Sequence, residues 1–145
     1  MNNKLETKSE NKPYITICYT YSFEDGSRKR FEIKLDYKTL ALIQETIEEP
    51  ETWTELSHHQ CPACPLNESE CSHCPAALNI APVITFFKNY MSYDRVDVVV
   101  DTERRIFRKH LSLQEAVSPL IGLLMAASEC PVLRLFRPML DTHLP

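Results

Sequence analysis

Residues 14 to 36 read YITICYTYSFEDGSRKRFEIKLD. Ile15, Ile17, Tyr19 and Tyr21 fall on one side of an extended chain, and Thr16, Cys18 and Thr20 on the other. Asp25-Gly26 is a turn signal. Beyond it Phe31, Ile33 and Leu35 alternate with Arg30, Glu32, Lys34 and Asp36. Strands over 14–21 and 28–36 therefore form a β-hairpin with one face to bury. Asp36 can cap a helix carrying Leu40, Ile43 and Ile47 at helical spacing, with Pro50 as its stop.

The same order returns downstream. Val96, Val98 and Val100 alternate with Asp97, Val99 and Asp101, a turn follows near Thr102 and Glu103, and a less regular strand spans 105–111. Ser112 and Glu115 have capping-box spacing ahead of Leu113, Val117, Leu120, Ile121 and Leu124. Pro119 is expected to kink that helix, or to open a second one capped by Ser118. KRFEIKLDYKTLALI and RIFRKHLSLQEAVSPLI align with Phe31 on Phe107, Leu35 on Leu111 and Asp36 on Ser112, the pattern of an internal repeat. Between the units lie Trp53, a cysteine segment and PAALNIAPVITFFKNYM, an apolar helix that Pro82 bends or begins. The expected fold is α+β: a four-stranded antiparallel sheet from two ββα units, a middle helix, and a four-cysteine insertion. The expected organisation is a disordered tail over 1–12 and a single domain over 13–145, with the cysteine segment at 58–76.

The chain has 145 residues, enough for one domain with a sizeable core, and 43% hydrophobic and 25% charged residues are ordinary globular values. A formal charge of −4 argues against general binding to nucleic acid or anionic membrane. No apolar run approaches the ~20 residues of a membrane span. The polar start MNNKLETKSENKP lacks a signal-peptide core, so the expected location is the cytoplasm, with thiols reduced.

CPACPLNESECSHCP, residues 61–75, holds two C-x-x-C pairs. Each pair is a tight turn that can point both sulfurs inward, and prolines follow Cys61, Cys64 and Cys74. Cys61, Cys64, Cys71 and Cys74 are the expected metal ligands, their sulfurs converging on one tetrahedral ion, with the polar PLNESE loop outside. Structural zinc is the leading reading, a closed site with no open position for chemistry. An iron–sulfur cluster is the alternative, although the spacing differs from the bacterial ferredoxin run. A redox disulfide pair comes third, without a thioredoxin-like βαβ context. His58, His59 and His73 are surplus to four cysteines, and His73, inside the second pair, is placed to hydrogen-bond a sulfur.

Two cysteines lie outside the segment. Cys18 reads as a half-buried thiol and Cys130 as helix punctuation before Pro131. Cys130 with His143 or His110 is the one nucleophile pair a thiol enzyme could use, and neither an orienting partner nor an oxyanion motif accompanies it. Arg28-Lys29-Arg30 and Arg104-Arg105 with Arg108-Lys109 could share one basic edge if the repeat is real, but a pair of solvated turns that discourage edge-to-edge pairing is the preferred reading. With glycine only at 26 and 122, no phosphate-binding glycine loop is available.

CPACPL followed by CSHCPAALNI, and LLMAASECP with FRPMLDTHLP, resemble a family of bacterial proteins known only as a domain of unknown function. The resemblance spans roughly residues 14–145. It implies a bacterial cytosolic protein whose cysteine segment is a family feature and in which more chain follows the HLP motif. It implies no reaction, substrate or catalytic residue. The expectation is a small metal-binding module, binding or regulatory rather than enzymatic, with a protein or small-molecule partner. Neither nucleic acid nor membrane is an expected partner, and homodimerisation through the sheet is left open.

Overall fold

The computed structural model describes residues 13–140; the tail expected over 1–12, and His143, lie outside the described residues. β1 (Tyr14–Phe23) and β2 (Arg28–Asp36) form the first hairpin, and β3 (Arg95–Thr102) and β4 (Ile106–Ser112) the second. The two hairpins join through β1 and β3 into one antiparallel sheet of order β2-β1-β3-β4. Gly26 turns the first hairpin at φ +86°, a backbone state that costs glycine little.

The registers obey a two-fold relation. Superposing the pair Tyr14–Asp36 on the pair Arg95–Ser112 carries Tyr19 onto Val100. Those two residues face each other in the central ladder. The same operation exchanges the pair Ile17–Thr102 with Tyr21–Val98, and both pairs are present. The sequence repeat is thus matched by a repeat in strand pairing.

Among the described residues, helices cover only one face of the sheet. α1 (Pro75–Phe87) and α2 (Leu113–Ala126) pack where Ile17, Tyr19, Tyr21, Ile33, Leu35, Val96, Val98 and Val100 are buried. The opposite face carries Thr16, Cys18 and Thr20 between the charged residues of the outer strands, the usual division for an antiparallel sheet with one wet face. Ser112 opens α2 with the expected capping box: its hydroxyl accepts from the Glu115 N–H at 3.4 Å, and its own N–H donates to the Glu115 carboxylate at 3.2 Å.

One expectation is corrected and two open alternatives are decided. The helix after Asp36 does not form. The Asp36 carboxylate does cap, accepting from the N–H groups of Lys38 and Thr39, but the turn ends at once with Leu40 at φ +57°. The next amides bond elsewhere: Leu42 N–H to the Ala127 carbonyl and Ile43 N–H to that of Lys34, with Leu42 bridged to Leu35. The outer edge of β2 and the end of α2 therefore capture the backbone that a helix would have used, and Ile43 is left exposed. Cover for the first hairpin comes from α1 instead. Phe87 meets Tyr21 edge-on at 5.2 Å and lies 5.8 Å from Phe31, a geometry aromatic pairs favour.

Secondly, of the bend or the division expected at each proline, division does not occur: Pro82 lies inside α1 and Pro119 inside α2, and the Ser118 hydroxyl bonds the Gln114 carbonyl at 2.6 Å rather than capping a new helix. Thirdly, the two basic clusters do not share an edge, because β2 and β4 are the opposite margins of the sheet. Lys29 lies over the rings of Phe31 and Phe86, and Arg105 over Phe107.

Candidate metal centre

All six cysteines are free thiols. The four of the segment fall into two unequal halves. The second half is built onto the domain. Cys74 is the N-cap of α1, with Pro75 in the first turn, where a missing N–H costs nothing. The Cys74 N–H donates to the Thr54 carbonyl at 2.8 Å, and the Leu56 N–H to that of Ser72 at 2.9 Å. Glu55 and His73 form a β-bridge between these bonds. Thr54 and Leu56 are fully buried, so residues 72–74 are stitched to a fixed segment of the domain, the 3-10 turn Thr52–Thr54 and the residues just after it.

That segment is itself braced. The Glu51 carboxylate accepts from the Thr85 hydroxyl on α1 at 2.6 Å and from the Trp53 indole at 2.9 Å. These bonds, Thr85 foremost, hold its carboxyl below the ordinary glutamate range. The Thr54 hydroxyl donates to the Glu51 carbonyl at 2.6 Å and lies 3.0 Å from His73 Nδ1. A hydroxyl has one proton, so the ring must donate to Thr54 from Nδ1, which in the neutral ring leaves Nε2 as the acceptor. The His73 ring thus faces Thr54 rather than a sulfur. Its contact with sulfur is through the backbone, where the Cys71 thiol donates to the His73 carbonyl at 3.0 Å.

The first half stands on local bonds. The Cys64 N–H closes the turn onto the Cys61 carbonyl at 2.9 Å, and the Gln60 amide donates to the Leu66 carbonyl at 2.7 Å. Cys61 is exposed, as are His58 and His59, whereas Cys64, Cys71 and Cys74 are half-buried. Among the described residues, no three His, Cys, Asp or Glu side chains are grouped to hold a metal ion. The donor chemistry fits a four-thiolate site, and the Cys61–Cys64 turn has the expected local form; the tight turn expected at Cys71–Cys74 does not close, because the Cys74 N–H goes to the Thr54 carbonyl instead. Convergence of the pairs would require the 57–70 loop to fold over the anchored half.

Cys130 follows α2, half-buried, with its N–H 3.3 Å from the Ser128 hydroxyl. His110 is engaged elsewhere: Nδ1 is 2.8 Å from the Asp97 carboxylate and Arg95 lies at 3.4 Å from Nε2. It is paired across β3 with Asp97, on the sheet face away from α2. His110 and Cys130 are therefore not brought together.

The residues that sequence reasoning missed are Glu51 and Thr54. Nothing in ETWTELS marks them as the support of a segment twenty residues on; Trp53 was the only landmark, and its indole does point to Glu51.

A family model matches residues 17–145, which takes in both hairpins, the cysteine segment and the chain after α2. The chain belongs to DUF6901, a domain of unknown function. No curated protein and no solved structure matches it. The DUF6901 domain here is a cysteine-rich α+β unit, and no helix among its described residues is long and apolar enough to cross a membrane.

Proposed function

We propose that the domain is a zinc-carrying binding or regulatory module in which Cys61, Cys64, Cys71 and Cys74 close on one ion. The observation that carries this reading is the mismatch between how firmly residues 72–74 are built in and how little holds residues 57–70. Within that loop only Cys64 and Leu66 are withdrawn from solvent. Burial cannot order such a segment, but four thiolates on one zinc can, because metal-binding free energy becomes folding free energy for the ligand loop. The fourth ligand sits at the N-terminus of α1, where a thiolate meets the favourable end of the helix dipole. A closed shell of this kind leaves no position for a substrate, which supports a module over an enzyme.

Metal analysis of anaerobically purified protein tests this directly, with one zinc per chain expected. Cys71→Ser should lose the zinc, melt earlier and expose residues 55–80 to protease. Cys130→Ser should keep its zinc. Several irons per chain with absorption in the visible would replace the zinc reading by a cluster. A Cys130→Ser protein that is folded and zinc-loaded yet loses a measurable activity would turn the module into an enzyme.

A further inference from the structure

The inequality of the two halves supports a second inference, which rests on the zinc reading. In a symmetric four-thiolate site all sulfurs would respond alike to an oxidant. Here they are not presented alike. Cys61 is the exposed thiol, on a loop whose own bonds hold it only locally. Cys74 is fixed by the Thr54 carbonyl and the start of α1, and Cys64, Cys71 and Cys74 are all half-buried. Oxidation of a thiol follows access, so Cys61 is the sulfur that reacts first, and its partner is the cysteine its own turn brings near. That turn is already closed, with the Cys64 N–H 2.9 Å from the Cys61 carbonyl. A hydrogen-bonded turn of four residues holds its end Cα atoms within about 7 Å, near the span a disulfide bridges.

We propose that Cys61 and Cys64 form an oxidation-sensitive latch, which a peroxide closes to a disulfide with release of the metal while Cys71 and Cys74 stay on the frame. The Cys61 thiolate attacks a peroxide oxygen, breaking the O–O bond to give a sulfenic acid and hydroxide. The Cys64 sulfur then attacks the sulfenic sulfur, forming the S–S bond and expelling the oxygen as water. Two electrons leave the pair of thiols and reduce the peroxide. The ion loses two of its four ligands, and the loop is no longer drawn over the anchored half. A dithiol reductant reverses the step, becoming a disulfide itself as the two thiols return.

The test uses the full chain loaded with zinc and titrated with hydrogen peroxide. A coloured chelator reads released zinc, and differential alkylation with mass spectrometry reads which thiols have paired. One zinc should be released for each Cys61–Cys64 disulfide, with Cys71 and Cys74 still alkylated by the thiol reagent. Dithiothreitol with added zinc should restore the starting state. A chain that carries no zinc before peroxide is added overturns the metal reading itself. A chain that carries one zinc but oxidises first at Cys71 or Cys74, or keeps its zinc under excess peroxide, overturns the latch alone.

Discussion

Replacing Thr54 by Val removes the hydroxyl that joins the cysteine segment to its support and changes shape very little. Thr54 is fully buried, and its hydroxyl lies 2.6 Å from the Glu51 carbonyl and 3.0 Å from His73 Nδ1. The carbonyl keeps a donor after the change, because the Thr54 N–H also reaches it at 3.0 Å. The group left unpaired is the His73 N–H, in a half-buried ring. Two lost hydrogen bonds cost about 1–3 kcal/mol, and the added buried methyl returns about 0.8. The net is about 1 kcal/mol, or roughly 3–4 °C in melting temperature for a domain of this size. Thr54→Ser keeps the hydroxyl and loses a methyl, again about 1 kcal/mol. Melting alone therefore does not separate the two variants; the ring does. Nitrogen NMR of His73 should show Nδ1 protonated in the parent and in Thr54→Ser, and a mixture of tautomers in Thr54→Val. Zinc affinity should fall about tenfold in the valine variant and little in the serine one, as for a residue that orients a ligand segment. A valine variant with the parent's tautomer, melting point and zinc affinity would show that the hydroxyl does not support the site.

Two further outcomes concern the core and its margin. The Tyr19 hydroxyl is buried without a partner among the described residues, so Tyr19→Phe should leave stability unchanged or raise it by up to about 1 kcal/mol in chemical denaturation. Burial also pushes the Tyr19 phenol up to about 12, and the folded state then holds a proton that the unfolded chain loses near pH 10; the Tyr19 contribution should be full below pH 10 and fall by about 1.4 kcal/mol per pH unit from there toward 12, beside a like decline from the buried Tyr21 phenol, so Tyr19→Phe should reduce the slope without abolishing it. Arg137, 14% exposed, donates to the Ala126 and Ser128 carbonyls and to Glu129, so Arg137→Met should cost about 2–3 kcal/mol in denaturant melts, and Arg137→Lys should recover little because an ammonium cannot fork across those acceptors.

The strands were legible because alternation depends only on near neighbours. Ile17, Tyr19 and Tyr21 are buried on one side, as their spacing predicts, and the Val96, Val98, Val100 set joins them across the β1–β3 ladder. The segment after Asp36 was not legible for the opposite reason. Leu40, Ile43 and Ile47 have helical spacing, and Asp36 does cap a turn, yet the outcome turns on two distant acceptors, the carbonyls of Lys34 on a sheet edge and Ala127 after α2. A local pattern cannot report a competitor more than eighty residues away. The basic clusters show the same limit, since their shared edge could be excluded only from the topology: equivalent positions in two repeats become opposite margins once the repeats pair through their first strands.

The cysteine segment divides along the same line. Spacing identifies four thiols and predicts two tight turns; the thiols and the Cys61–Cys64 turn are present, but the second pair forms no closed turn, because the Cys74 N–H is taken by the Thr54 carbonyl. What spacing does not carry is which pair the domain holds. That depends on the Cys74 bond to Thr54, across twenty residues, and on Glu51 reaching Thr85. The tether has an energetic consequence. A ligand loop attached at one end delivers the free energy of closing to the element that bears the attachment. Here that element is the first turn of α1 with residues 51–56, while the sheet is held by its own ladders and by the Phe87 cluster. Loss of a bound metal would therefore loosen the start of α1 before the sheet. A change in metal state would be felt first where α1, residues 51–56 and the loop meet.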